Sequence, residues 1–351
     1  MSKLRIGFVG TGYMGQLAHL ANYVHLPEVE LVAVAEGRQK LARRVADHYG
    51  VAAVYPDHRA LLSDAKVDAV VAIMGYGLHH AVVPDLLRAG KHVITEKPIC
   101  NRASTAAQMA KLAADQGVVY QVGYMKRCDL GSRYVKALAD QYRQSGELGS
   151  LRYLRATMPP GPWQLEIEPP LGSDEPGASY EGETWEPFPE WMDRPTADLY
   201  NAFINYYIHQ VNLLRYLLGE DYQVRYADPA GVTFTATSDS GVPVILEMAP
   251  YTSPDHWEET YTVFFEHGFL ELTLPAPLAR QHPGRVRVFR GKERPTTFEQ
   301  PVLAPRWAFG EQAKLFVAAC RGEIENISPA ADAAKDLATA EEYVRRLLES
   351  R

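Results

Sequence analysis

The chain opens with an apolar run, Ile6-Gly7-Phe8-Val9, and repeats the pattern at Leu31-Val32-Ala33-Val34-Ala35, with a helix-compatible stretch between them. Short continuous apolar runs of this kind suit strands buried on both faces of a parallel sheet. Val51–Tyr55, Val67–Met74, His92–Thr95 and Val118–Val122 read as four more. Helical spacing separates them: Leu41, Val45 and Tyr49 before the stop at Gly50, a helix capped by Asp57 through Leu62, and His79–Ala89 closed by Gly90. Another, capped by Asn101 or Ser104, runs to about Gln116. Strands and helices alternating at this spacing predict an α/β fold with a doubly wound parallel sheet. This first domain is expected to span residues 1–123.

The pattern then changes. After a helix from about Gly131 to Tyr142, strands are expected at Leu151–Met158, Gly231–Ser238, Pro243–Met248, Thr260–Glu266, Gly268–Leu274 and Arg285–Phe289. Several alternate polar and apolar positions, as strands do in an antiparallel sheet covered by helices on one side. Residues 124–328 thus read as an α+β domain with an open, mostly antiparallel sheet. Its uncovered face predicts a homodimer or homotetramer. A Pro-, Gly- and acid-rich insertion at 159–195 carries Trp163, Trp185 and Trp191, which fit either a small satellite core or stacking on a ligand ring. Helices are expected at Glu311–Arg321 and Pro329–Arg351, the last, 329–351, returning to the first domain.

The turn after the first run is Gly10-Thr11-Gly12-Tyr13-Met14-Gly15, a G-x-G-x-x-G sequence between strand and helix. Gly10 permits a tight turn, Gly12 lets backbone N–H groups approach a pyrophosphate, and Gly15 lets the helix pack closely on the strand. Glu36 ends the second run, where it suits the ribose diol of a dinucleotide. This is the Rossmann order. A carboxylate at Glu36 disfavours a 2′-phosphate, so NAD is expected over NADP, with Arg38 softening the preference.

Composition narrows the rest. The 351 residues are 46% hydrophobic and 23% charged, enough for one or two sizeable cores. A formal net charge of -7 with interspersed signs argues against nucleic-acid partners. No apolar stretch suits a bilayer, and Met1–Arg5 run straight into a strand, so no membrane association and a cytoplasmic location are expected. Cys100, Cys128 and Cys320 are scattered, which predicts neither disulfide frame nor metal site.

Lys97, after a sheet strand and before Pro98, falls at the carboxyl edge where ligands of such sheets bind. It is a candidate for proton transfer or a plain surface lysine, with Glu96 as ion-pair partner or turn support. Tyr206 to Gly219 reads as one amphipathic helix, and Asn205 and His209, four apart, are expected on one face. A histidine there is either structural or part of a site.

These segments resemble the Gfo/Idh/MocA oxidoreductases, which include glucose-fructose oxidoreductase and inositol dehydrogenase. The matching residues are Gly10 to Gly15, Ala89-Gly90-Lys91-His92-Val93-Ile94-Thr95-Glu96-Lys97-Pro98, Val122-Gly123-Tyr124-Met125-Lys126-Arg127 and the helix of His209. The resemblance implies NAD(P)-dependent hydride transfer at a secondary hydroxyl of a sugar, glycoside or cyclitol. It implies that Lys97 and His209 meet the reacting hydroxyl, that His79 and Glu96 lie beside the cofactor, and that Lys126 and Arg127 enter the substrate cleft. Tyr124, Trp163 and Tyr206 join the substrate candidates. Asn205 stands where the family usually has Asp, so His209 lacks a charged partner and the proton-transfer role falls on Lys97, with His209 and Asn205 orienting substrate. Two other functions fit: glycoside cleavage by transient redox at NAD, and a non-catalytic NAD-binding sensor.

Overall fold

The computed structural model describes residues 2–164, 167–176, 184–248 and 253–351. They form two compact units, the first comprising Met1–Tyr124, Glu168–Asp193 and Phe309–Leu337, the second Met125–Ile167, Arg194–Ala308 and Ala338–Arg351. The stretch expected as an insertion at 159–195 is therefore divided, and 168–193 groups with the first unit rather than the second. Its residues 165–166 and 177–183 lie outside the described residues.

In the first unit β1 (Leu4–Val9), β2 (Val29–Ala35), β3 (Ala53–Tyr55), β4 (Ala69–Ala72), β5 (His92–Thr95) and β6 (Tyr120–Val122) form a sheet in the order β3-β2-β1-β4-β5-β6. Every pairing in it is parallel. A π-helical turn, Gly15–Leu20, leads into α1 (Ala21–Tyr23), followed by α2 (Gln39–Tyr49), α3 (His58–Asp64), α4 (His79–Arg88) and α5 (Ala103–Asp115). The chain steps outward from β1 to β3 and returns to β4 beside β1, so the strand order reverses there and opens a crevice at the carboxyl ends. Ile6, Phe8, Val34, Val71 and Ile94 are fully buried, and Tyr23 meets both Phe8 and Phe316 edge-on. Two-sided burial explains why these strands are apolar without alternation.

Asp57 caps α3, accepting from the Ala60 N–H, and Gly50 closes α2 at φ +69°. Neither Asn101 nor Ser104 caps α5. Arg102 stands at its N-cap without a side-chain bond, while Asn101 spends its backbone N–H and amide on Glu186.

The second unit contains α6 (Met125–Cys128), α7 (Leu130–Ser145), β7 (Leu151–Thr157), α8 (Arg194–Tyr206), α9 (Ile208–Leu218), β8 (Tyr222–Ala227), β9 (Thr233–Ser238) and β10 (Pro243–Glu247). It continues with β11 (Thr260–Phe265), β12 (Gly268–Thr273), β13 (Arg285–Arg290) and β14 (Thr297–Glu299). The eight strands order as β14-β13-β12-β11-β7-β10-β9-β8, antiparallel throughout except for the parallel pair β7 and β10. On one face Leu154, Val263, Leu270 and Val288 are buried against helices that include α7 and α9. The other face carries Tyr153 stacked on Phe264 at 4.1 Å, then Phe269, Phe289 and Phe298 in ring contact. Two helices complete the chain, α10 (Ala308–Cys320) and α11 (Ala330–Ser350). Among the described residues no helix is long and apolar enough to cross a membrane.

The helix expected from Tyr206 to Gly219 is α9, and α8, which was not expected, leads directly into it. Tyr207 interrupts the run between α8 and α9 while keeping right-handed dihedrals (φ −90°, ψ −3°), its hydroxyl bonded to the Met248 carbonyl at 3.1 Å. Asn205 therefore lies in the last turn of α8 and His209 in the first turn of α9, while the Tyr207 and Val211 N–H groups still donate to the Phe203 and Tyr207 carbonyls across the join.

Candidate active site

The glycine turn shows why small residues are needed there. Gly10 adopts φ +86°, and a Cβ on it would run into the carbonyl of Ile73 after β4. A Cβ on Gly15 would press on the Gly10 carbonyl, so the helix start and the turn touch backbone to backbone. At Gly12 the space is open apart from Arg38, whose guanidinium lies over it. This cradle fits a dinucleotide pyrophosphate, with Gly12 at the point of closest approach. Tyr13 and Met14 complete the turn, both half-buried.

Glu36 points into this cradle and is only 1% exposed. The Thr11 N–H and hydroxyl donate to its Oε2 at 2.9 and 3.2 Å, and Arg38 clamps it through Nε on Oε1 and Nη2 on Oε2, both at 3.0 Å. Burial alone would raise its pKa, but the bonds from Arg38 and Thr11 and the guanidinium charge outweigh it and hold the carboxyl below the ordinary glutamate range. The carboxylate expected to suit a ribose diol bonds its own chain here, at Thr11 and Arg38. It is turned onto its own chain, fixing Arg38 and the glycine turn.

At the carboxyl end of β5, the turn carrying Lys97 is tied on both sides. Glu96 accepts from the Lys97 N–H at 3.2 Å and pairs with His19 Nε2 at 2.8 Å, so it supports the turn. Beyond Pro98, the Ile99 carbonyl meets Nδ1 of the fully buried His79 at 2.9 Å. Burial pushes the His79 pKa down to about 4, which leaves the ring neutral near pH 7, with Nε2 buried and without a hydrogen-bond partner among the described residues. Lys97 itself is half-buried.

The substrate candidates of the second unit separate into different roles. Lys126 is buried and bonds both oxygens of Glu259, at 2.5 and 2.6 Å, while Gln210 Nε2 and the Tyr261 hydroxyl also donate to Glu259 Oε1. Burial lowers the Lys126 pKa against the opposing pull of Glu259, and its ammonium lies 5.6 Å from the Trp257 ring centre. Arg127 is 2% exposed, bonded through Nε to Asn212 Oδ1 at 2.7 Å and placed over Tyr216, which marks it as a core residue. Tyr206 accepts the Gly161 N–H at 3.1 Å, Trp163 and His209 are half-buried, and Asn205 is exposed. Tyr124, by contrast, ends the first unit and is buried. Glu259, Gln210, Tyr261 and Trp257 were not apparent in the sequence. The only signal was the proximity of Gln210 to His209 and of Glu259 to a strand start.

Comparison with known proteins bears on the fold and the cofactor class. The model of an oxidoreductase family with an NAD-binding Rossmann fold matches residues 4–124. An inositol 2-dehydrogenase/D-chiro-inositol 3-dehydrogenase of Lacticaseibacillus casei is 28% identical over 291 residues, 77% of this chain and 72% of the relative. A dTDP-3,4-didehydro-2,6-dideoxy-alpha-D-glucose 3-reductase of Streptomyces violaceoruber is 35% identical over 159 residues, and the match spans only 45% of each chain. An aldose-aldose oxidoreductase from Caulobacter crescentus shares the fold with a TM-score of 0.72 at 20% identity, covering 99% of this chain and 98% of that one. A putative NADPH-dependent oxidoreductase from Desulfitobacterium hafniense has a TM-score of 0.78 at 16% identity, covering 100% and 97%. The Rossmann unit thus matches an oxidoreductase family with an NAD-binding Rossmann fold, and the chain is similar to proteins described as cyclitol dehydrogenases and sugar reductases.

Proposed function

We propose that this protein is an NAD-dependent oxidoreductase acting on a secondary ring hydroxyl, or the matching ketone, of a sugar, glycoside or cyclitol. The observation that carries this reading is the Lys97 turn, tied to His19 through Glu96 and to His79 through Ile99, at the carboxyl edge of a sheet whose glycine turn fits a pyrophosphate. A bound nicotinamide supplies the hydride acceptor or donor. Lys97 takes the hydroxyl proton as the carbon loses its hydride, and returns it in reduction. His209, which the family resemblance places at the reacting hydroxyl, orients the substrate oxygen with Asn205, an uncharged amide where the family usually has Asp. NAD is preferred because Glu36, held ionised, already balances the charge of Arg38, leaving little net attraction for a 2′-phosphate.

The test is nicotinamide absorbance after mixing the protein with NAD or NADP and a panel of monosaccharides, glycosides and inositols. A rise with NAD and one substrate class supports the reading. Absence of any rise in protein that binds NADH contradicts it.

The aromatic face of the second unit supports a further assignment, a homodimer or homotetramer through that sheet. Phe298 there is 65% exposed, too large an apolar surface to be left to water without reason. Phe298→Glu should shift the mass measured by light scattering to that of a single chain, and an unchanged mass would contradict it.

A further inference from the structure

The segment 168–193 groups with the Rossmann unit, and its described parts grip that unit at two places. The first arm meets the starts of the two helices after β1 and β2. Leu171 exchanges hydrogen bonds with the Gln16 amide at 2.9 and 3.0 Å, directly beyond the glycine turn. Glu175 accepts from the Lys40 and Leu41 N–H groups, both at 3.0 Å, and Asp174 pairs with the Lys40 ammonium.

The second arm meets the loops after β4 and β5. Trp185 lies against the backbone of Gly75 and Gly77, where any Cβ would collide with the indole. The Glu186 N–H donates to the Gly77 carbonyl at 2.8 Å, and the Glu186 carboxylate accepts from the Asn101 N–H at 2.6 Å. Glu186 is 3% exposed, so this anchorage is built into the core.

Four crossover ends in a row at the carboxyl edge are thus held by one segment, and that edge is where a dinucleotide lies on such a sheet. Trp185 is the part left unfinished: it is firmly seated, yet 51% exposed. Indole surface is expensive to leave in water, and the ring is seated on two glycines that leave no room for a side chain. Tyr76 meets the indole edge-on, and the open half of the ring lies on the loop after β4, at the carboxyl edge where a dinucleotide binds on such a sheet.

We propose that residues 168–176 and 184–193 are the two arms of a clasp belonging to the dinucleotide site, with Trp185 laying its open ring on the bound cofactor and slowing its release. The proposal rests on the NAD-dependent reading above. It assigns Trp185 as a cofactor contact, and Gly77, Gln16 and Glu175 as residues that position the clasp.

The experiment is NADH release from the full-length protein, followed by stopped-flow fluorescence after mixing with excess NAD. It compares the parent with Trp185→Ala and with Gly77→Ala, which unseats the indole without removing it. Each should release NADH about tenfold faster, the size expected for a lost ring contact. Trp185→Ala alters a half-exposed side chain and tests the proposal even where Gly77→Ala fails to fold. Release from Trp185→Ala within twofold of the parent overturns the clasp and leaves the oxidoreductase reading standing. A parent that binds no NADH at all overturns both.

Discussion

Arg38 grips Glu36 with two parallel bonds of 3.0 Å, so that the acid ending β2 and the cation that follows it neutralise one another beside Gly12. Removing the acid frees the guanidinium. Glu36→Gln should therefore shift the NAD to NADP preference, measured as a ratio of kcat/KM, about tenfold or more toward NADP, the scale of one unmasked charge. An unchanged ratio would show that Glu36 serves only to support the turn.

The buried pair of Lys126 and Glu259 makes an asymmetric prediction. Glu259→Gln strands an ammonium in the core and should cost about 3–5 kcal/mol in denaturant unfolding. Lys126→Met should cost less, because Gln210 and Tyr261 still donate to the carboxylate that remains. Equal losses in the two variants would mean that Lys126 does not depend on Glu259 for its charge.

Asp129 gives the fold a pH dependence of known sign. It is 2% exposed and accepts from the backbone N–H groups of Gly131, Ser132 and Gly284, but burial outweighs them and pushes its pKa up to about 6. A carboxyl raised in the native state favours folding when protonated. Its contribution is fully present below the unfolded value of 3.8 and is lost as pH rises through about 6. The difference is roughly 3 kcal/mol. Asp129→Asn should flatten the stability profile between those limits in urea titrations, and an unchanged profile would contradict the assignment.

The Rossmann unit was legible because two-sided burial writes itself as uninterrupted apolar runs, and because Gly10 and Gly15 have no room for a side chain. The second sheet was legible where strands alternate, as in Thr233–Ser238, and was missed where they do not stand out. β14 is three exposed residues, and β8 carries polar or exposed residues at half its positions, so neither forms an apolar run. The break at Tyr207 was hidden because its dihedrals stay right-handed, so helical periodicity runs through it. The inward turn of Glu36 and the burial of Arg127 depend on partners far apart in sequence, Thr11 and Asn212, and no local pattern reports them. The same holds for the division of 159–195, where the pairing of Leu171 with Gln16 draws part of a tryptophan-rich loop onto the first unit.

The most direct test of the account is hydride transfer by Lys97→Met, measured at the nicotinamide absorbance with the substrate class identified for the parent, alongside NADH binding by fluorescence. Loss of turnover by about a hundredfold or more, the lower range of a general base's contribution, with NADH affinity unchanged within a few-fold, is the predicted result. A variant that binds NADH and keeps most of its rate would contradict Lys97 as the group that moves the proton.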